Sequence, residues 1–232
     1  MKNGTNPTNH LLHVTNFQDL ICTPFQGNIN AINWSRELKG DYKEIVEAIV
    51  FEGNLIEINK EDLLALNLTE QGEIARNVLL EDLKLLEDHG ASPTLNIIKY
   101  YDRDDYYPFF PTDVYSFHVD RSPVATDTFL CTYFGSTSEL IPNEHAIQKI
   151  TIPTIQEELK KLHTDQTISF EDFLKENFFD LHYSATDDSE PLRAELGHMW
   201  RLAVDHPESK VLPCVHRAPM EENGQKRLLL IC

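Results

Sequence analysis

The hydrophobic period of this chain changes near Gly90, and that change restricts the fold more than any other feature. Before it, Ile45, Val46, Ala48 and Ile49 form an apolar stripe, and Ile74, Val78, Leu79, Leu83 and Leu86 continue one at spacings of three and four. This is helical periodicity, and Gly90 after Asp88 and His89 supplies a stop signal. From Pro93 the apolar residues fall in short runs rich in β-branched and aromatic side chains: Thr94 to Tyr101, Val114 to Val119, Thr126 to Phe134 and Ile147 to Ile152. Asp, Pro, Gly and Ser separate them, so they read as strands. An acidic segment from Ile155 to about Phe179 returns to helix, and strands are expected again at Met199 to Val204, Val211 to Arg217 and Arg227 to Ile231.

Helices followed by strands predict an α+β protein with a β-rich core. The expected layout is a single domain over residues 1–232. It comprises a loose arm and lead-in over 1–27, a helical layer over 28–92, and a β core over 93–232 with a helical insertion at about 153–180. A chain of 232 residues, 41% of them hydrophobic, is long enough to bury such a core.

Charge narrows the partners. With 20 basic against 38 acidic residues the formal charge is −18, which makes broad contact with nucleic acid or an anionic bilayer unfavourable. The first ten residues hold no apolar run of the signal-peptide kind, and no later segment has the unbroken apolar stretch of a membrane span. A cytoplasmic protein is the expectation. Cys22, Cys131, Cys214 and Cys232 are widely scattered, which argues against cysteine-bound structural zinc and for reduced, mostly packed thiols.

Chemistry concentrates in a few residues. His118 and Asp120 stand two apart in Ser-Phe-His-Val-Asp-Arg. In a strand, side chains at i and i+2 share one face about 6.6 Å apart, so an imidazole and a carboxylate can converge on one ion. His216, in Val-His-Arg-Ala-Pro, would complete the set from another strand. Two histidines and one carboxylate on one side of a metal leave open positions, as in non-heme Fe(II) oxygenases. The spacing of His118 and Asp120 alone is weak evidence, since histidine more often serves as an ordinary hydrogen-bonding residue.

Arg227 adds a second element. A co-substrate such as 2-oxoglutarate chelates iron at one end and needs a fixed, bidentate cation at the other. The Asn223-Gly224 dipeptide favours a two-residue hairpin turn between the last two strands. That register places His216 opposite Ile231 and puts Arg227 on the same face, whereas a one-residue slip would separate them. The plain alternative for Arg227 is a surface residue beside Lys226.

Thr132 and Tyr133 are candidates for hydrogen bonds to the co-substrate, with Tyr133 equally suited to be a core aromatic whose hydroxyl is satisfied. Arg121 and Arg217 each follow a ligand candidate directly, so alternation points them away from the metal, into surface or ion-pairing roles. Trp34 and Arg36 either overlie the pocket or lock the helical layer to the strands. His198 and His206 are weaker ligand candidates, because nothing pairs with them at useful spacing.

The strings Asn-Ile-Asn-Ala-Ile-Asn-Trp-Ser-Arg (28–36), Phe-His-Val-Asp-Arg (117–121), Leu-Cys-Thr-Tyr-Phe-Gly-Ser-Thr (130–137) and Val-His-Arg-Ala-Pro with Arg-Leu-Leu-Leu (215–219, 227–230) resemble a bacterial family of no assigned activity. Their order is similar to that in the Fe(II)/2-oxoglutarate-dependent oxygenases, whose core is a double-stranded β-helix (jelly-roll, cupin-like). The resemblance implies that fold, metal ligands at His118, Asp120 and His216, and a 2-oxoglutarate carboxylate at Arg227. It implies hydroxylation of a small-molecule or peptide substrate. Two other readings fit the same residues: a zinc- or manganese-dependent hydrolase or isomerase that dispenses with Arg227, and a β-helix that binds a small acid or a protein without catalysis.

Overall fold

The computed structural model describes residues 10–104, 106–165, 167–220 and 224–232. The chain begins with β1 (Leu11–Val14), α1 (Phe17–Cys22), β2 (Ala31–Trp34), α2 (Tyr42–Ala48), β3 (Leu55–Ile58), α3 (Lys60–Ala65) and α4 (Glu70–Asp88). There follow β4 (Thr94–Ile98), β5 (Phe117–His118), β6 (Asp127–Phe134), β7 (Glu139–Ile141), β8 (Ala146–Gln148), α5 (Pro153–Leu162) and α6 (Phe170–Glu176). The last strands are β9 (His182–Ala185), β10 (Leu192–Arg193), β11 (Met199–Ala203), β12 (Val215–Arg217) and β13 (Arg227–Ile231).

These strands form two sheets. The larger runs β1-β2-β11-β6-β13-β4-β3 and the smaller β10-β7-β12-β5-β9-β8. Every pairing is antiparallel except β1 with β2. The protein is therefore α+β with two largely antiparallel sheets. Among the described residues no helix is long and apolar enough to cross a membrane.

Alternation along β6 and β13 builds two cores at once. Phe129, Cys131 and Tyr133 of β6, with Leu228 and Leu230 of β13, pack against Ile45 of α2 and Leu79, Leu83 and Leu86 of α4. Leu130 and Leu229 face the other way and meet Leu140 of β7, Trp200 of β11 and Cys214 between the sheets. Of the helical stripe read from the sequence, α4 buries Leu79, Leu83 and Leu86, each contributing about 1.5–3 kcal/mol, while Val78 and Ile74 are only half-buried. Thr69 caps the start of α4 through its side chain, and Gly90 follows its end at φ +93°.

Several expectations need correction. Within the described part of the arm, β1 joins the large sheet beside β2, and Asn16 caps α1. The layer over 28–92 is not purely helical, because β2 and β3 extend the same sheet. The strand expected at Val114 to Val119 shrinks to Phe117–His118, since the Asp113 carboxylate accepts the Tyr115 N–H and holds a turn there. Ile147 to Ile152 gives way to a 3₁₀ turn ahead of Pro153, which opens α5.

The largest correction concerns the final hairpin. β12 and β13 do not pair: β12 lies between β7 and β5 in the small sheet, and β13 between β4 and β6 in the large one. Asn223 lies outside the described residues. The apolar run of β13 explains the outcome, because four consecutive residues, Arg227 to Leu230, are buried, and such a strand needs cover on both faces. That burial outweighs what a tight turn contributes.

Candidate metal centre

Register brings the ligand candidates together. His118 of β5 lies directly opposite His216 of β12, and His216 in turn lies opposite Leu140 of β7. On its other side His118 pairs with His182 of β9. Residues paired in register share a face, so Leu140, His216, His118 and His182 form a row across the inner side of the small sheet. Asp120 stands just beyond the end of β5.

His118, Asp120 and His216 each present one ligand atom, and these atoms all lie within 4.8 Å of one another. His118 Nε2 is 4.0 Å and His216 Nε2 3.7 Å from the Asp120 carboxylate, and the two rings are 4.6 Å apart. Bonds of about 2.1 Å would set neighbouring ligand atoms about 3.0–3.4 Å apart, so small rotations close the set on an ion. The groups behind the triad suit that role. His118 Nδ1 donates to the Ser116 carbonyl at 2.8 Å and His216 Nδ1 to the Cys214 carbonyl at 3.2 Å. Those bonds favour the tautomer that leaves both Nε2 lone pairs free, the usual support for a metal-binding imidazole. The Thr128 hydroxyl of β6 donates to Asp120 Oδ2 from the opposite sheet.

Electrostatics favours the deprotonated forms of His118 and Asp120. Burial, helped by His216, pushes His118 down to about 4, so the ring is neutral at pH 7. Burial works to raise Asp120, but His216, the Thr128 hydroxyl and His118 outweigh it and hold the carboxyl below its ordinary value. His182 is pushed down to about 3, by burial first and then by His118 and Lys149. In the unfolded chain both histidines titrate near 6.5. Their contribution to stability is therefore intact above that pH and declines as pH falls from 6.5 through about 4 to about 3. The slope approaches about 1.4 kcal/mol per pH unit for each histidine. Urea unfolding of metal-stripped protein at pH 7 and pH 5 will show the loss, and His182→Gln will flatten it; equal slopes in both proteins would contradict the assignment.

Arg227 occupies the same inter-sheet space from the larger sheet. It is only 6% exposed and forms no ion pair among the described residues. Its guanidinium donates to Thr132 Oγ1 at 3.0 Å and to Ser138 Oγ at 2.8 Å. Burial pushes Arg227 down to about 10, which leaves it charged at neutral pH without a counter-ion. Gly135 lets its strand approach, since a Cβ there would sit 2.5 Å from the Lys226 carbonyl and 2.9 Å from Arg227 Cα. Trp200 Nε1, buried between the sheets, has no hydrogen-bond partner among the described residues.

The triad and the arginine open onto separate cavities. A pocket of about 190 Å³ beside the triad is lined by Thr112, Asp113, His118, Asp120 and His182 among others. A tighter one of about 30 Å³ in front of Arg227 is walled by Ile98, Tyr101, Tyr115 and Met220. The segment 112–115 serves both, with Thr112 to Val114 on the first and Tyr115 on the second.

No protein-family model, curated protein or solved structure matches this chain.

The remaining candidates separate by face. Thr132 meets Arg227, but Tyr133 points to the helical side, where its hydroxyl donates to Asp82 of α4 at 2.6 Å. Tyr133 is thus a core aromatic, removed from Arg227 by strand alternation. Arg36 pairs with the same Asp82 and covers Trp34 at 4.4 Å, so both residues tie the helical layer to the sheet. Arg121 bridges Asp180 and Asp205, and Arg217 holds Glu139, as pairing residues. His198 lies near Glu195, and His206 lines a groove on another part of the surface. Sequence reasoning missed Thr128, Ser138 and His182. Thr128 was legible as the residue four before Thr132 on one strand face; the other two carried no local signal.

Proposed function

We propose that the protein is an Fe(II)/2-oxoglutarate-dependent oxygenase that hydroxylates a small-molecule or peptide substrate. The observation that carries the reading is the buried, uncompensated Arg227 on the inner face of the sheet opposite the His118, Asp120 and His216 set. An isolated guanidinium in that position is costly unless an anion visits it. Two antiparallel sheets face to face, with metal ligands on one and an anion anchor on the other, fit a double-stranded β-helix.

The donor set fits iron, since two imidazoles and one carboxylate leave half of an octahedron open. Bound Fe(II) with 2-oxoglutarate and dioxygen would supply the redox chemistry, one oxygen atom entering the substrate C–H bond and the other succinate, with loss of carbon dioxide. The chain's residues do the rest. His118 and His216 present Nε2, held by the Ser116 and Cys214 carbonyls. Asp120 supplies the negative charge. Arg227, braced by Thr132 and Ser138, fixes the distal carboxylate. Thr128 beside Asp120 and Thr132 beside Arg227 are four residues apart on β6, about 13 Å along the strand. A dicarboxylate held by both the triad and Arg227 would have to bridge that gap, so the two pockets, separate in this structure, would have to join beneath the segment 112–115.

Anaerobic Fe(II) titration with and without 2-oxoglutarate, followed by the visible charge-transfer band of the chelate, tests the reading. The band is expected in the native protein. In Arg227→Gln the 2-oxoglutarate affinity should fall about 10- to 100-fold, the share of a bidentate charge-assisted pair. Iron binding itself should persist in that variant. Metal binding that ignores both 2-oxoglutarate and Arg227 would instead favour the zinc or manganese hydrolase.

A further inference from the structure

We propose that His182 is a substrate-positioning residue, which hydrogen-bonds the exogenous ligand occupying an open position of the metal. The proposal rests on the metal reading of the triad, but on neither the identity of the metal nor 2-oxoglutarate.

Three observations support it. The first is register: His216, His118 and His182 occupy neighbouring strands β12, β5 and β9 in one row, with rings of His118 and His182 6.0 Å apart. Neighbouring strands are spaced about 4.8 Å, so His182 lies about two spacings from His216. An ion held between His216 and His118 is out of its direct reach, and His182 is accordingly not one of the converging group. An atom bound to that ion on the His118 side is within hydrogen-bond range.

The second is the cavity. The pocket beside the triad includes His118, Asp120 and His182 in its wall, so the space next to the ion lies on the His182 side. The third is an unmet need. His182 is 5% exposed, its Nδ1 is fully buried without a partner, and no protein hydrogen bond reaches Nε2 among the described residues. Burying Nδ1 without a partner is unfavourable, whereas Nε2 is not sealed off and can meet a ligand from the pocket that His182 lines. A phenylalanine would fill the same space beside Phe110, 6.1 Å away, without that cost. The ligand class is one with an oxygen or nitrogen next to its metal-binding atom, such as a carboxylate, hydroxamate or alcohol.

Co(II)-loaded full-length protein titrated with azide tests this, because azide takes an open position and its far nitrogen accepts a hydrogen bond. The cobalt absorption spectrum reports both events. In His182→Phe, Co(II) affinity should stay within about 3-fold of the native protein while azide affinity falls about 10-fold, one hydrogen bond's share. His182→Gln, which keeps a donor and guards against a folding defect, should recover most of it. Unchanged azide affinity in both variants would make His182 a packing residue, and so would failure of azide to bind native Co(II) protein. A fall of 100-fold or more in Co(II) affinity itself would make it a ligand and overturn the positioning role. Absence of Co(II) binding in the native protein would instead sink the metal reading, and this proposal with it.

Discussion

Asp120→Ala is expected to lower divalent-metal affinity by more than about 100-fold, beyond the 10- to 100-fold typical of losing an outer-shell partner. Asp120 is the only anionic member of the set, and both imidazoles face it, at 4.0 and 3.7 Å. Without it an ion would meet two imidazole nitrogens and no carboxylate within the converging set to offset its dehydration. The fold should survive, because the Asp120 side chain is 35% exposed and lies outside the strands. Thr128→Val is the companion variant. It removes only the hydroxyl that orients Asp120, so its loss should fall within about 10- to 100-fold. Calorimetric titration with Co(II), or with Fe(II) under anaerobic conditions, separates the two. Native affinity in Asp120→Ala would remove the carboxylate from the ligand set.

Asp82→Ala should cost about 3–5 kcal/mol of stability, because it leaves a buried cation without its partner. Asp82 is 1% exposed and receives both terminal nitrogens of Arg36 and the Tyr133 hydroxyl. Arg36 also donates to the Gly197 carbonyl at 2.9 Å, and Tyr42 stacks on Tyr133 at 5.4 Å. The cluster therefore ties α4 to the outer face of β6, the strand whose inner face carries Thr128 and Thr132. For a domain of this size each kcal/mol moves Tm by about 2–4 °C, so thermal unfolding should shift down by roughly 10 °C. Replacing the whole network, as Arg36→Met with Asp82→Leu and Tyr133→Phe, should recover much of the loss, since no charge is then stranded. A small shift in Asp82→Ala would mean that water reaches Arg36 and solvates it.

The site was legible where two residues lie close in the chain and illegible where strands had to meet. His118 and Asp120 sit on one local segment, so their convergence follows from extended backbone geometry, even though Asp120 falls just past the strand. His216 joins them by a different route from the expected hairpin. The turn signal at Asn223 and Gly224 is worth little beside the burial of Arg227 to Leu230 on both faces of the large sheet. Arg227 still faces the space between the sheets, because Leu228 and Leu230 take the helical side and alternation turns Arg227 the other way. Arg227 and His216 therefore lie on different sheets and not on one hairpin face.

Periodicity by itself determined the helix α4 that ends before Gly90, most of its buried stripe, and the helical insertion now seen as α5 and α6. These follow from rules acting within a few residues of backbone. Only the tertiary structure decided that β12 and β13 part company, that Tyr133 turns to Asp82 while Thr132 turns to Arg227, and that His182 completes a row with His118 and His216. Those outcomes join segments far apart in the chain. They depend on which strands are covered on both faces, a balance of buried area summed over the whole molecule that no local pattern contains.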